Sequence, residues 1–207
     1  MSLREVGRAT PRRWFGVRLR VGISPKEWVM KRIGLTLAAV GLSIGICGAG
    51  FAQDTKSADK SFITDASEGS LAEVNFAKLA LEKSKDPNVR KFAERMIKDH
   101  EMLIRTMRPF AVKYDAKPSG TPLMDHAKYE ELKMKSGTDF DRGYVEAMVK
   151  GHHDTLKTFM DEENATTDPK LKALVAKDEK VILEHTEMID KIAKMGGIET
   201  PPIPADA

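Results

Sequence analysis

Cysteine is all but missing from these 207 residues, and the single one present, Cys47, lies in an apolar run near the N-terminus. If that run is removed from the mature protein, disulfides, thiolate metal sites and a cysteine nucleophile are excluded together. A lipid-modified cysteine is disfavoured as well, because Ile46 precedes it where a small residue is required. No stretch alternates convincingly as a β-strand. There is no phosphate-cradling glycine-rich loop, no nucleophile elbow and no persuasive Ser/His/Asp order, so nothing points to nucleotide or hydrolase chemistry. Charge of one sign is also lacking. The formal net charge is +3, but residues 1–52 hold nine basic and two acidic side chains, leaving 25 basic and 29 acidic residues in the remainder. A mildly acidic body of mixed sign gives no reason to expect a nucleic-acid partner.

What is present begins with an export signal. Met30-Lys31-Arg32 precedes an apolar run from Ile33 to Cys47, then Gly48-Ala49-Gly50-Phe51-Ala52. A positive start, a short apolar centre and small residues at Gly50 and Ala52 predict a secretory signal peptide over 30–52, cleaved after Ala52. The run is short for a membrane span, which takes about 20 apolar residues. Residues 1–29 then read as an upstream, mis-assigned start. Arg12-Arg13-Trp14-Phe15 offers a twin-arginine alternative, although charged residues fill the gap before the apolar run. The expected residence is the periplasm or cell envelope, with no transmembrane segment in the mature chain; association with the envelope and protein partners are left open.

The mature chain of about 155 residues is long enough for one core. Residues 53–60 read as a flexible lead-in, 61–196 as a four-helix bundle, and 197–207 as a Pro-rich tail. The first helix is expected over about 61–84, with a seam through Phe62, Ala66, Gly69, Glu73, Phe76 and Ala80. Asp86-Pro87 and Asp168-Pro169 each place an N-cap before proline at the first helical position. They start helices running to about Tyr114 and Met195. Pro109 is expected to kink the former or end it early. After the turn residues 117–122, a short crossover helix is predicted from Leu123 to Ser136, broken by Gly137, and a long helix from about Thr138 to Ala165. Seams of this kind on four similar helices predict an all-α, ferritin-like bundle with a crossover between its second and third long helices.

One polar residue interrupts each seam: Glu73, His100, His152 and His185. Each lies roughly 13–15 residues into its helix, or about 20 Å at 1.5 Å per residue, near the middle of the rod. Buried polar groups are costly unless partnered. Three imidazoles and a carboxylate on one level therefore suggest a site for one Zn, Fe, Mn or Cu ion. The competing reading is a hydrogen-bonded layer without metal that fixes the bundle's register. Met96, Met148 and Met188 lie within a turn of the seam histidines and would favour copper, although methionine at helical spacing usually fills core. Asp99 and Glu184, each directly before a seam histidine, are candidate supporting hydrogen-bond partners. His153 is expected at the surface, His126 has no constellation around it, and Asp178 sits two turns from His185.

The segments Phe92-Ala93-Glu94-Arg95-Met96-Ile97-Lys98-Asp99-His100 and Phe140-Asp141-Arg142-Gly143-Tyr144 through His152 resemble a bacterial exported family, domain of unknown function 4142. Glu68-Gly69-Ser70-Leu71-Ala72-Glu73 and His185 fit it too, over roughly residues 60–195. The resemblance implies a ferritin-like bundle in the cell envelope and carries no established activity. The chain departs from the di-iron pattern of such folds, which place Glu-x-x-His on two helices. Ile97 stands three residues before His100, and Ile182 before His185. The expectation is a non-catalytic binder of a metal or small ligand, with a structural or stress-related interaction module and a metal-dependent oxidoreductase as its rivals.

Overall fold

A computed structural model of the chain describes residues 48–119, 126–205 and 207. The upstream segment 1–29, the signal-peptide residues 30–47, and residues 120–125 of the expected turn and crossover lie outside the described residues. Five helices are present among the described ones: α1 (Gly48–Lys83), α2 (Pro87–Tyr114), α3 (His126–Met134), α4 (Gly137–Ala165) and α5 (Pro169–Met195). None is long and apolar enough to cross a membrane.

Local chemistry sets most of the boundaries. The Asp86 carboxylate accepts from the backbone N–H of Asn88 and of Val89 at 2.7 and 3.0 Å, capping α2 behind its proline. Asp168 does the same for α5, accepting from Lys170 N–H at 3.0 Å. Gly137 takes φ +56°, the left-handed conformation that lets the chain turn sharply from α3 into α4. Helix α2 runs to Tyr114 as expected, passing Pro109 without ending there, and ends on Asp115 in the left-handed region. The last turn is anchored, because the Tyr114 hydroxyl donates to Asp168 at 2.8 Å across the bundle. Residues 53–60, expected as a flexible lead-in, belong to α1. Asp59 is only 4 % exposed, and its carboxylate bonds to Tyr114 and to Glu162, which ties this turn to α2 and α4.

Neighbouring helices run antiparallel. α1 pairs with α2, α4 with α5, α2 with α5 and α1 with α4. The α1–α4 direction follows from two contacts, Asp59 with Glu162 and Phe62 against Phe159. That of α2–α5 follows from Tyr114 with Asp168 and His185 with Asp99. Diagonal partners α2 and α4 therefore point the same way, so the chain must return along the bundle between them. That is the crossover, and α3 lies at its far end, where Tyr129 meets Phe76 edge-on and Lys83 donates to the carbonyl of Lys135. The result is an all-α, ferritin-like arrangement.

The core falls into two apolar clusters. One gathers Phe76, Phe92, Met96, Tyr144, Met148 and Ile189, the other Ile63, Leu103, Leu156, Phe159, Leu171 and Ile182. On α2, α4 and α5 one histidine falls between the two clusters: His100 between Met96 and Leu103, His152 between Met148 and Leu156, His185 between Ile182 and Ile189.

The Asp168 cap yields a stability prediction. Its carboxylate also accepts from Lys113, and that bond leads the causes holding it down at about 2, helped by Tyr114 and the Lys170 N–H. Asp168→Ala should lower unfolding free energy by about 1–2 kcal/mol at neutral pH, losing a cap and a partly buried hydrogen bond. A depressed carboxylate stabilises above its ordinary pKa, and the contribution is lost as pH falls through the folded value. Urea midpoints of wild type and variant should therefore converge between about pH 4 and about pH 2.

Candidate metal centre

The three seam histidines meet. Among the described residues, His100, His152 and His185 form a group whose candidate ligand nitrogens all lie within 4.8 Å of one another, and all three are buried. Their ring centroids are 5.4 Å apart for His100–His185, 5.6 Å for His152–His185 and 6.1 Å for His100–His152.

Hydrogen bonds at the rear of two rings determine which nitrogen carries the proton. His152 Nδ1 sits 2.9 Å from the carbonyl oxygen of Met148, one turn earlier in α4. A carbonyl only accepts, so Nδ1–H donates and Nε2 keeps its lone pair. His185 Nε2 lies 3.0 Å from Asp99 Oδ2, and donation to that carboxylate leaves Nδ1 with the lone pair. Among the described residues no group offers a hydrogen bond to His152 Nε2, His185 Nδ1, or either nitrogen of His100, and all four atoms are out of contact with solvent.

Asp99 is braced in turn. Arg95 Nε donates to it at 3.0 Å from one turn earlier in α2, while the other end of the guanidinium bonds Glu184 on α5. Burial works against the Asp99 charge, but the bonds from His185 and Arg95 outweigh it and hold the carboxyl below its ordinary range. Asp99 thus orients His185, whereas Glu184 bonds Arg95 and acts on His185 by charge alone. The imidazoles are kept neutral. Burial, then the neighbouring His185 and His152, pushes His100 well below its usual value. Burial and His185 take His152 to about 3 against the opposing pull of the Met148 carbonyl. Burial also lowers His185, with Asp99 resisting. Three uncharged rings with free lone pairs are the protonation state a metal ion needs.

Glu73 is not in this group. Ile63, Ser70, Ala77 and Ala80 are all buried on α1, and Ser70 satisfies itself on the Ala66 carbonyl at 2.7 Å. Three residues beyond Ser70, Glu73 is turned towards α4. There it lines a cleft together with His100 and stands near enough to Gly151 that a Cβ at that glycine would meet Glu73 Oε1 at 3.5 Å.

The family model described as Domain of unknown function (DUF4142) matches residues 48–192. The chain belongs to this family. Solved structures similar to this DUF4142 chain include CopM in the Cu(II)-bound form, 20 % identical with a TM-score of 0.56, covering 66 % of this chain and 97 % of that one. CopM in the Cu(I)-bound form is 20 % identical with a TM-score of 0.57, over 67 % of this chain and 96 % of that one. CopM in the Ag-bound form matches at 20 % identity and a TM-score of 0.55, over 66 % and 95 %. At such identity the likeness establishes the shared helical fold. No curated relative matches the DUF4142 chain by sequence.

Elsewhere the outcomes are mixed. His153, expected at the surface, has a side chain only 9 % exposed, with Nε2 3.1 and 3.2 Å from the two oxygens of Asp190 on α5. The α4–α5 contact is wide enough to enclose two successive residues of α4. His126 opens α3 and is exposed, and Asp178 is buried and pushed up to about 6 by loss of solvent. Sequence reasoning missed Arg95 and the Met148 carbonyl. The first carried a signal, since Arg95 and Asp99 have the i,i+4 spacing of a helical ion pair. A backbone carbonyl carries none.

Proposed function

We propose that this DUF4142 protein binds one transition-metal ion through His100, His152 and His185, and that copper is the ion it holds most tightly. The observation that carries this reading is the set of four solvent-free imidazole nitrogens without a hydrogen-bond partner among the described residues. A purely structural polar layer stabilises a bundle only when its members satisfy one another. Here the rings turn their unsatisfied sides inwards while Met148 and Asp99 hold two of them from behind. Neutral nitrogen donors without thiolate or carboxylate in the triad favour copper, then zinc, over manganese and iron. The copper and silver forms of CopM, a protein of the same fold, support testing copper first. Export to the periplasm or envelope agrees with the signal-like residues 30–52 and with the absence, among the described residues, of a membrane-spanning helix.

Titration of chelator-free protein with Cu(II) or Zn(II) against a competing chromophoric chelator should show one equivalent bound, copper the tighter. Failure of either ion to bind stoichiometrically would sink the proposal. Asp99→Asn should weaken binding by about 10–100-fold, the usual cost of removing a carboxylate that orients a ligating imidazole.

A further inference from the structure

Helices α1 and α4 do not close on each other as the two hairpin pairs do. Between them lies a cleft of about 410 Å³, within the size range of small-molecule sites. Asp65 and Asp154 stand at its exposed rim, and Glu73 and His100 lie within. Two glycines keep it open, Gly69 on α1 and Gly151 on α4, both in helix interiors where glycine is unfavourable relative to alanine. Close packing does not demand either one. A Cβ at Gly69 would meet nothing within 4 Å, and one at Gly151 only Glu73 Oε1 at 3.5 Å. Neither takes a positive φ. The space itself is what the missing side chains preserve.

His100 is the histidine of the triad that lines this space; it is 3 % exposed, and among the described residues neither of its ring nitrogens finds a partner. Three imidazoles leave a four-coordinate ion one further position. We propose that the α1–α4 cleft is a small-molecule site for an uncharged azole-type ring. One ring nitrogen completes the coordination of the ion, and the ring N–H faces the Glu73 carboxylate. The aromatic body rests among Phe62, Phe76 and Phe159, which line the cleft. The acidic rim and Glu73 select against anions of the same size.

This inference rests on the metal reading, and the experiment separates the two. The copper-loaded full chain is titrated with 4-phenylimidazole and followed by the visible ligand-field band and by electron paramagnetic resonance. Wild type should show a saturable spectral shift at one equivalent. Gly151→Leu and Gly69→Leu plug the cleft from opposite walls with a good helix former. Each should weaken the probe at least tenfold while holding copper within about threefold of wild type, with helicity checked by circular dichroism. A copper-loaded wild type whose spectrum the probe leaves unchanged, or plugged variants that bind the probe as well as wild type, overturn the cleft site and leave the metal reading standing. A wild type that takes up no copper overturns both.

Discussion

His152→Ala should lower the affinity for zinc or copper by more than a hundredfold, while His153→Ala, one residue along, should leave it unchanged. Structural four-ligand zinc sites bind with about 10–16 kcal/mol, or roughly 3 kcal/mol for each ligand. Loss of one imidazole from three therefore removes on the order of a hundredfold or more. His152 is the better choice for the test because the Met148 carbonyl holds its ring in one tautomer, which fixes the nitrogen that the substitution removes. His153 is nearly as well shielded but engages Asp190 and stands outside the triad, so it controls for any general effect of deleting an imidazole from α4. Competition titration at a temperature where both variants remain folded decides the matter. Equal losses in the two variants, or none in either, would remove the triad from consideration as a metal site.

The helical plan was legible from residues whose chemistry is local. Asp86-Pro87 and Asp168-Pro169 mark helix starts because a carboxylate cap and a proline without N–H suit the same two positions. The histidine level was legible because α2, α4 and α5 carry large apolar side chains on either side of it, so period and depth could be counted. α1 was harder to read. Its buried positions include Ser70, Ala72, Ala77 and Ala80 beside Phe62, Ile63, Val74 and Phe76, and the small ones give little contrast between buried and exposed positions. The expected seam does run through buried Phe62, Phe76 and Ala80, but its Gly69 and Glu73 are only half-buried, and Glu73 lines the cleft beside His100, outside the three-histidine group. The helical turn at Asp59 and the burial of His153 were invisible for a different reason. Each depends on a partner far along the chain, Tyr114 and Glu162 for the first and Asp190 for the second, and no local pattern announces such a meeting.

The second large effect follows from the cost of the triad to the metal-free fold. His100 buries two ring nitrogens that lack partners among the described residues, and each desolvated, unpaired polar group costs about 1–3 kcal/mol. Leucine is of similar size and belongs among the surrounding Met96, Leu103 and Ile182. His100→Leu should therefore raise the unfolding free energy in the presence of EDTA by about 1–3 kcal/mol, against the usual trend for core substitutions. With zinc present the order should reverse. Wild type at a free zinc concentration a thousand times its Kd gains about 4.1 kcal/mol, which exceeds the variant's advantage, whereas a variant deprived of one ligand gains little at the same concentration. The two denaturation curves should thus exchange places when chelator is replaced by metal. A simple packing role predicts a variant less stable in both conditions, and a satisfied hydrogen-bonded layer predicts destabilisation in EDTA. Only a site that carries an energetic debt until an ion enters predicts the exchange, so a His100→Leu protein less stable than wild type in EDTA would mean that the buried imidazole already has what it needs.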